Sequence, residues 1–422
     1  MNFDTISGVL MAFAYYYPLF MSYVWMSGGI YYRFHWEQAG LSLGEFDRLE
    51  PIPSVSIIVP CFNEEAHIEE TVDQLLNSAY SRYEIILVND GSTDKTAELI
   101  DQLEKKYEQI RVIHLVVNSG KANALNMGAI ASKNEILICI DGDALLDEYA
   151  VSSLVKHFIY SPRVGAVTGN PRIRNRSTLL GKIQVGEFSS IIGLIKRAQR
   201  IYGRVFTVSG VVTAFRKSAL QRVGFWRSDT TTDDIDVSWR LQLDHWDIRY
   251  EPNALCWILM PETYRGLWGQ RLRWAVGGAQ AAMFYAPQIL LWKSRRMWMV
   301  FVEYWLSVVW SYILLTIILL WLVGKFIALP EQIAVPSLVP GWHGLVLGAT
   351  CLMQFLVSLM IDSRYEGKLL KHFFWIVWYP IAYWMINVFT TSVALPRALI
   401  LGRKKTGTWN SPDRGVRADE QR

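Results

Sequence analysis

Cysteine is scarce: the 422 residues hold Cys61, Cys139, Cys256 and Cys351, whose spacings match neither a disulfide framework nor a zinc-ligand set. A reducing, cytoplasmic setting is the simpler reading for the part that carries most of them. No GxGxxG follows a strand-like run and no GxxxxGK[ST] occurs anywhere, which argues against a nicotinamide dehydrogenase and a P-loop ATPase. The stretch "DGDALLD" from Asp141 fails as an EF-hand, because the glycine expected after the third ligand position is missing. Excess charge is lacking too. A formal net charge of +4 is too small to imply nucleic acid as a partner.

Apolar residues are abundant, at 51%, and they gather in blocks. One runs from Gly8 to Tyr31, and three lie beyond the middle, at Met297–Gly324, Gly344–Ile361 and Phe373–Leu395. Each is long enough, or nearly so, to cross a hydrocarbon core of ~30 Å as a helix. The first block has no basic residue ahead of it and no small-x-small cleavage pattern behind it, so it is expected to be a retained span. Trp25, Trp36, Trp292, Trp298, Trp342 and Trp375 sit at block ends, as interfacial anchors do. Between the first span and the others, from about Pro53 to Pro261, the sequence has ordinary globular character.

Within that stretch four β-rich runs, "SVSIIVP" from Ser54, "EIILV" from Glu84, "RVIHLVV" from Arg111 and "EILICI" from Glu135, alternate with helix-like segments. The alternation predicts an α/β fold with a mostly parallel, doubly wound sheet, whose ligands bind beyond the carboxyl ends of the strands. The polar clusters "CFNEE", "NDGSTDKT", "NSGKANAL" and "DGDALLD" follow those four runs in turn. Any one of them is ordinary turn and cap chemistry. Four in register point to a site for a nucleotide-sugar. Asp141 and Asp143, two apart at a strand end, would present both carboxylates to one side if the backbone stays extended, and hard oxygen ligands suit Mg²⁺ or Mn²⁺. Asp90 could receive the nucleoside and Lys121 could approach the phosphates.

"TTTDDIDVSWR" from Thr230 places three acids at the start of a helix-like run. With Thr232 as N-cap and ~100° per residue, Asp233, Asp236, Arg240 and Asp244 form one stripe, read as a solvated face with Asp236 and Arg240 paired at i, i+4. Asp234 points away, beside Val237, Ser238 and Leu241. Burial there would raise its pKa, as a general base taking a proton from a sugar hydroxyl requires, although a buried structural cap accounts for the pattern equally well. Further on, "GLWGQRLRWAVGG" puts Gln270, Arg273 and Trp274 on one helical face and turns Arg271 elsewhere. An arginine suits a diphosphate and a tryptophan suits a sugar ring. An interfacial helix with a snorkelling arginine and an anchoring tryptophan is the plainer alternative.

"NDGS", "DGD", "TDD" and "QRLRW", in this order and flanked by membrane segments, resemble the processive family-two glycosyltransferases, which include cellulose, chitin and hyaluronan synthases. "PCFNEE", "RVGAVTGNPRIR", "GKIQVGEFSSIIGLIKR", "ALCWILMPET" and "SPDRG" are similar to the bacterial branch that makes β-1,6-linked poly-N-acetylglucosamine. The resemblance implies a GT-A domain over residues 54–261, with Asp90 at the nucleoside, Asp141 and Asp143 at ribose, metal and diphosphate, and Asp234 as catalytic base. It implies that Gln270, Arg273 and Trp274 close over the diphosphate and acceptor, and that Ser209 and Gly210, in "VSG", lie near the acceptor end. Also implied are UDP-N-acetylglucosamine as donor, a growing polysaccharide as acceptor, an inner-membrane location, a small membrane partner subunit, and cyclic di-GMP control at the partner interface. A chitin-oligosaccharide or hyaluronan synthase shares this chemistry, and a transporter accounts for the spans but not for the four aspartates. The family usually has Thr-Glu-Asp at Thr232–Asp234; with Asp233 on a solvated face, Asp233→Glu is expected to be nearly silent.

The expected order is thus a membrane helix at 1–33, a linker at 34–53, the GT-A domain, interfacial helices at 262–296, membrane segments at 297–400 and a tail at 401–422. The charged loop "DSRYEGKLLK" from Asp362 suits the cytoplasm, and three full spans after the catalytic domain would place the tail outside. Arg397, Arg403, Lys404 and Lys405 oppose that by the positive-inside rule, and Pro380 would permit a re-entrant last segment.

Overall fold

The computed structural model describes residues 4–37, 52–159, 161–338, 341–377 and 379–402. Most of the expected linker, the "SPDRG" stretch, Arg403, Lys404 and Lys405 lie outside them. Helix α1 (Ile6–His35) precedes β1 (Val55–Cys61), α2 (Ile68–Leu76), β2 (Tyr83–Asp90), α3 (Thr96–Lys106), β3 (Ile110–Leu115), α4 (Lys121–Ala131) and β4 (Ile136–Ile140). These four strands lie where the apolar runs predict them and pair in parallel as β3-β2-β1-β4. The two-residue side-chain period of a strand sorts the core into two layers. Val55, Ile57 and Val59 pack toward Ile68 and Val72 of α2, whereas Ile58, with Ile86 and Val88 of β2, packs toward Leu125 of α4. All of these are buried, at about 1.5–3 kcal/mol for each large aliphatic side chain.

The second half of the sheet is mixed. It comprises β5 (Leu145–Leu146), β6 (Val164–Ile173), β7 (Val212–Arg216) and β8 (Asp247–Ile258), added to β4 in the order β7-β6-β8-β5. Strand β7 runs antiparallel to both β4 and β6, β8 is parallel to β6, and β5 is antiparallel to β8. Between them come α5 (Ala150–Ile159), α6 (Leu179–Phe188), a π-helical stretch Ser189–Ile195, α7 (Lys196–Tyr202), α8 (Lys217–Val223) and α9 (Asp233–Leu243). Then follow α10 (Tyr264–Ile289), α11 (Trp298–Val323), α12 (Gly341–Asp362), the short α13 (Phe373–Ile376) and α14 (Tyr379–Leu401). Four segments, Ile6–His35, Trp292–Val323, Trp342–Asp362 and Trp384–Leu401, are helices long and apolar enough to cross a bilayer.

Buried charge joins the α/β unit to these helices. Arg172 of β6 and Arg197 of α7 both pair with Asp362, at the end of α12, at 2.9 and 3.0 Å. Arg197 also reaches Glu37, just past α1, at 2.5 Å, and Tyr365 donates to the other oxygen of Glu37 at 2.6 Å. Such charges lose much hydration on burial and persist only when each is matched, as both carboxylates are here. Asp362 and Glu37 therefore lie on the face of the catalytic unit, as the charged loop from Asp362 implies.

Packing at the end of α14 bears on the choice between an external tail and a re-entrant last segment. Ala394 and Ala398 pack on Leu272, Val276 and Ala279 of α10, and Gln280 of α10 donates to the Gly402 carbonyl at 2.8 Å. The same Gln280 side chain accepts from Thr231 N–H at 3.2 Å, in the loop ahead of α9. So α14, which passes Trp310 of α11 at Trp384, ends beside α10 at Gln280. Length alone permits a crossing; packing decides where the helix ends.

Candidate active site

The four loops beyond the parallel strands are stitched to one another. Asn63 N–H donates to Ser92 Oγ at 3.1 Å and Asn63 Oδ1 accepts from Thr93 N–H at 2.9 Å, joining the first loop to the second. Asp90 accepts from Ser119 N–H at 2.7 Å and Gly120 N–H at 2.8 Å, joining the second to the third. Gly91 makes that approach possible: its φ is +66°, and a Cβ there would lie 2.7 Å from Asn118 N. Asp90 is fully enclosed, and burial pushes its carboxyl up against the two N–H donors that favour the charged form. It shapes the loop around residues 118–120 rather than presenting a free carboxylate.

Lys121, the first residue of α4, joins the third loop to the fourth. Its ammonium pairs with Asp141 and donates to the Gly210 carbonyl at 3.0 Å. Burial disfavours that charge, but Asp141, Asp233 and Asp234 outweigh it and hold Lys121 above its usual range. The "DGD" backbone is not extended. Strand β4 stops at Ile140, and Ala144 N–H donates to Asp141 C=O at 3.1 Å, closing a turn across Gly142 and Asp143. Strand alternation therefore does not align the two carboxylates. Both nonetheless act on the buried Cys256 thiol, which burial and then Asp141 and Asp143 push up. Two half-buried carboxylates suit a hard divalent cation that takes its remaining oxygens from a diphosphate and water. Among the described residues no group of three or more His, Cys, Asp or Glu side chains forms a metal cage.

Helix α9 starts at Asp233 with Thr232 in the N-cap position, as the sequence predicts. The Thr232 hydroxyl makes no capping bond; it faces Gly277 of α10, where a Cβ would fall 1.9 Å from Oγ1. Asp234 lies in a crevice with Asp233, Ser209 and Gly210. Its Oδ1 accepts from Ile235 N–H at 2.9 Å, and Oδ2 is the atom nearest to a Cβ built on Gly210, at 3.3 Å. Burial first, then the Asp233 charge, pushes the Asp234 carboxyl up to about 6, against Lys121, the Ile235 N–H and Arg273.

Two readings of the helical stripe are corrected here. Asp233 lines the crevice instead of facing solvent, so it acts on the charge of Asp234. Asp236 does pair with Arg240, at 2.7 Å, but the pair is inside: Asp236 is 1% exposed and accepts from the Tyr285 hydroxyl at 2.7 Å. A helical wheel shows which residues share a face, not that α10 covers that face.

On α10, Arg273 and Trp274 are exposed while Gln270 is half-buried. Arg271, which the sequence turns away from the site, is buried against Glu187 of α6 at 2.6 Å. Lys196 is a further residue that periodicity misses. Burial pushes this amine, under the Ser209 loop, down to about 7 against the pull of Asp234. Its Nζ lies 3.4 Å from Thr168 Oγ1, which accepts from Ser209 N–H at 2.8 Å. Its only sequence signal is a lysine inside the apolar run "IIGLIKR".

An α/β unit with acids at the carboxyl edge of its parallel strands, a base-like carboxylate opposite and four bilayer-length helices defines a glycosyltransferase of the GT-A type. The family model described as "Glycosyl transferase family 2" matches residues 56–224. The poly-beta-1,6-N-acetyl-D-glucosamine synthase of Staphylococcus epidermidis is 41% identical over 406 residues, covering 96% of this chain and 98% of that one. The protein of that description from Staphylococcus aureus strain COL is 40% identical over the same coverage of 96% and 98%. The chain therefore belongs to glycosyl transferase family 2, in the group of the poly-β-1,6-N-acetyl-D-glucosamine synthases. Among solved structures, a mannosyltransferase from Pyrobaculum calidifontis in complex with GDP-Man and Mn²⁺ shares the fold, with a TM-score of 0.54 at 18% identity over 93% of this chain and 98% of that one.

Proposed function

We propose that this protein is a membrane-embedded, processive and inverting synthase. It takes N-acetylglucosamine from UDP-N-acetylglucosamine, adds it to a growing β-1,6-linked poly-N-acetylglucosamine chain, and passes the polymer across the cell membrane as biofilm exopolysaccharide. The observation that carries the chemistry is Asp234, a carboxyl raised to about 6 in a crevice shared with Asp233, Ser209 and Gly210, whose carbonyl is held by Lys121. The sugar and the linkage rest on the 41% identity to the staphylococcal synthase.

In this reading the acceptor hydroxyl lies over Gly210, whose missing side chain leaves room beside Asp234 Oδ2. As its oxygen bonds to the anomeric carbon, its proton passes to Asp234, and the bond from that carbon to the diphosphate breaks with its electron pair leaving on UDP. Attack opposite the leaving group inverts the anomeric configuration. The loop held by Asp90 frames the nucleoside, and Lys121 and Arg273 bring positive charge toward the diphosphate. Asp141 and Asp143 would hold Mg²⁺ or Mn²⁺, which when bound neutralises the departing UDP. Gln270 and Trp274 close over the diphosphate and the acceptor sugar. The family resemblance further supports a small membrane partner subunit with cyclic di-GMP at their interface; co-purification and nucleotide binding by the pair test it.

Membranes carrying the protein, supplied with UDP-N-acetylglucosamine, UDP-glucose and UDP-glucuronate in parallel, should release UDP by more than about tenfold over background with the first alone. Preferred turnover of another donor would replace the substrate while keeping the chemistry. No release from any donor would remove both.

A further inference from the structure

Arg271 is the one polar side chain of the "QRLRW" stretch that the transfer chemistry leaves without a task. It is 5% exposed, and its partner Glu187 is 2% exposed. One guanidinium nitrogen donates to Glu187 Oε2 at 2.6 Å, and another donates to Gln270 Oε1 at 3.0 Å. The guanidinium carbon stands 4.3 Å from the centre of the Trp274 ring. Trp274 itself is 37% exposed. An open helix surface of this kind allows an indole several rotamers, so its orientation must come from a contact; the face of Arg271 is that contact.

We propose that Glu187 and Arg271 form a positioning pair for the acceptor subsite: Glu187 fixes the guanidinium, whose face seats Trp274 and whose edge holds the Gln270 amide. The pair rests on the reading of Gln270 and Trp274 as diphosphate and acceptor contacts. It also ties that subsite to the membrane-facing segment. Glu187 is the last residue but one of α6, which runs directly into the π-helical stretch, where Ser189 accepts from Arg172 at 3.1 Å and Ser190 accepts from Gln354 of α12 at 2.9 Å.

The test compares Arg271→Lys, Glu187→Gln, Trp274→Phe and the double variant Arg271→Lys/Trp274→Phe in the full-length protein in nanodiscs. Lysine keeps a charge for Glu187 but has neither the planar face nor the fork. UDP binding by Arg271→Lys is expected within about twofold of wild type, with KM for UDP-N-acetylglucosamine little changed and kcat lowered about tenfold or more. Glu187→Gln should lower kcat in the same way. In the Trp274→Phe background Arg271→Lys should cost clearly less than it does in the wild type, because the indole it seats is gone and only the Gln270 amide is left for it to hold. Full additivity in the double variant overturns the proposal. So does wild-type kcat in Arg271→Lys beside a defective Trp274→Phe, which leaves the reading of Trp274 standing. Wild-type turnover by Trp274→Phe overturns both. Should Arg271→Lys fail to accumulate, Glu187→Gln decides on the same measurements.

Discussion

If Asp234 is the base, transfer must follow its titration. With its carboxyl near 6, the carboxylate fraction is about nine-tenths at pH 7, half at pH 6 and a tenth at pH 5, so kcat/KM should fall about tenfold from pH 7 to pH 5. Asp233→Asn removes the neighbouring charge that helps raise this carboxyl, so the acid limb should move to lower pH, whereas Asp233→Glu keeps the charge and should leave the limb in place. Asp234→Asn should cost about 10²–10⁴ in turnover with UDP binding retained. The same shift bears on stability. Below about pH 4 the group is protonated whether the chain is folded or not; between about 4 and 6 only the folded protein keeps the proton, so stability falls as pH rises, and above 6 the full penalty of about 1–3 kcal/mol is present. Asp234→Asn should therefore melt higher than wild type at pH 7.5, with the difference shrinking toward pH 4. Steady-state polymerisation across pH 5–8, paired with melting of the detergent-solubilised protein, reads both effects. A flat wild-type rate from pH 5 to 7, or turnover by Asp234→Asn, would refute the assignment.

Asp143→Ala should abolish the divalent-cation dependence of UDP binding, and Asp141→Ala should weaken nucleotide and cation together; UDP titrations with Mn²⁺, Mg²⁺ and EDTA check this, and an unchanged metal response in both variants would reduce "DGD" to a turn. Asp362→Leu leaves Arg172 and Arg197 buried without their shared carboxylate and should cost about 3–5 kcal/mol, read as a lower melting temperature. A reporter fused after Arg422 should be active on the catalytic side, because Gly402 ends beside Gln280 and Thr231; activity only on the opposite side would refute the return of α14.

How much the sequence discloses depends on whether the deciding contact is local. The runs of β1, β2 and β4 are legible because parallel strands buried on both faces read as continuous apolar stretches, and the register of four polar loops follows from strand direction. Asp234 is legible from its place opposite Asp236 on the helical wheel. The burial of Asp236 is not, since Tyr285 lies 49 positions away on another helix. The wheel misplaces Asp233 for the same reason: Ser209 and Gly210, distant in sequence, line the crevice with it, and its charge acts on Lys121. Arg271 illustrates the opposite case. Its helical angle correctly turns it from Arg273, but the meaning of that direction lies in Glu187, on another helix 84 positions earlier. The end of α14 is half legible: Pro380 marks a last segment able to turn back, but the contact of Gly402 with Gln280 joins residues 122 positions apart.

Purified protein in nanodiscs, given radiolabelled UDP-N-acetylglucosamine with Mg²⁺ or Mn²⁺, should make a labelled polymer of high molecular weight in which linkage analysis finds only 6-substituted N-acetylglucosamine. A polymer linked through other positions, one that incorporates a second sugar, or free N-acetylglucosamine in place of polymer would contradict the account.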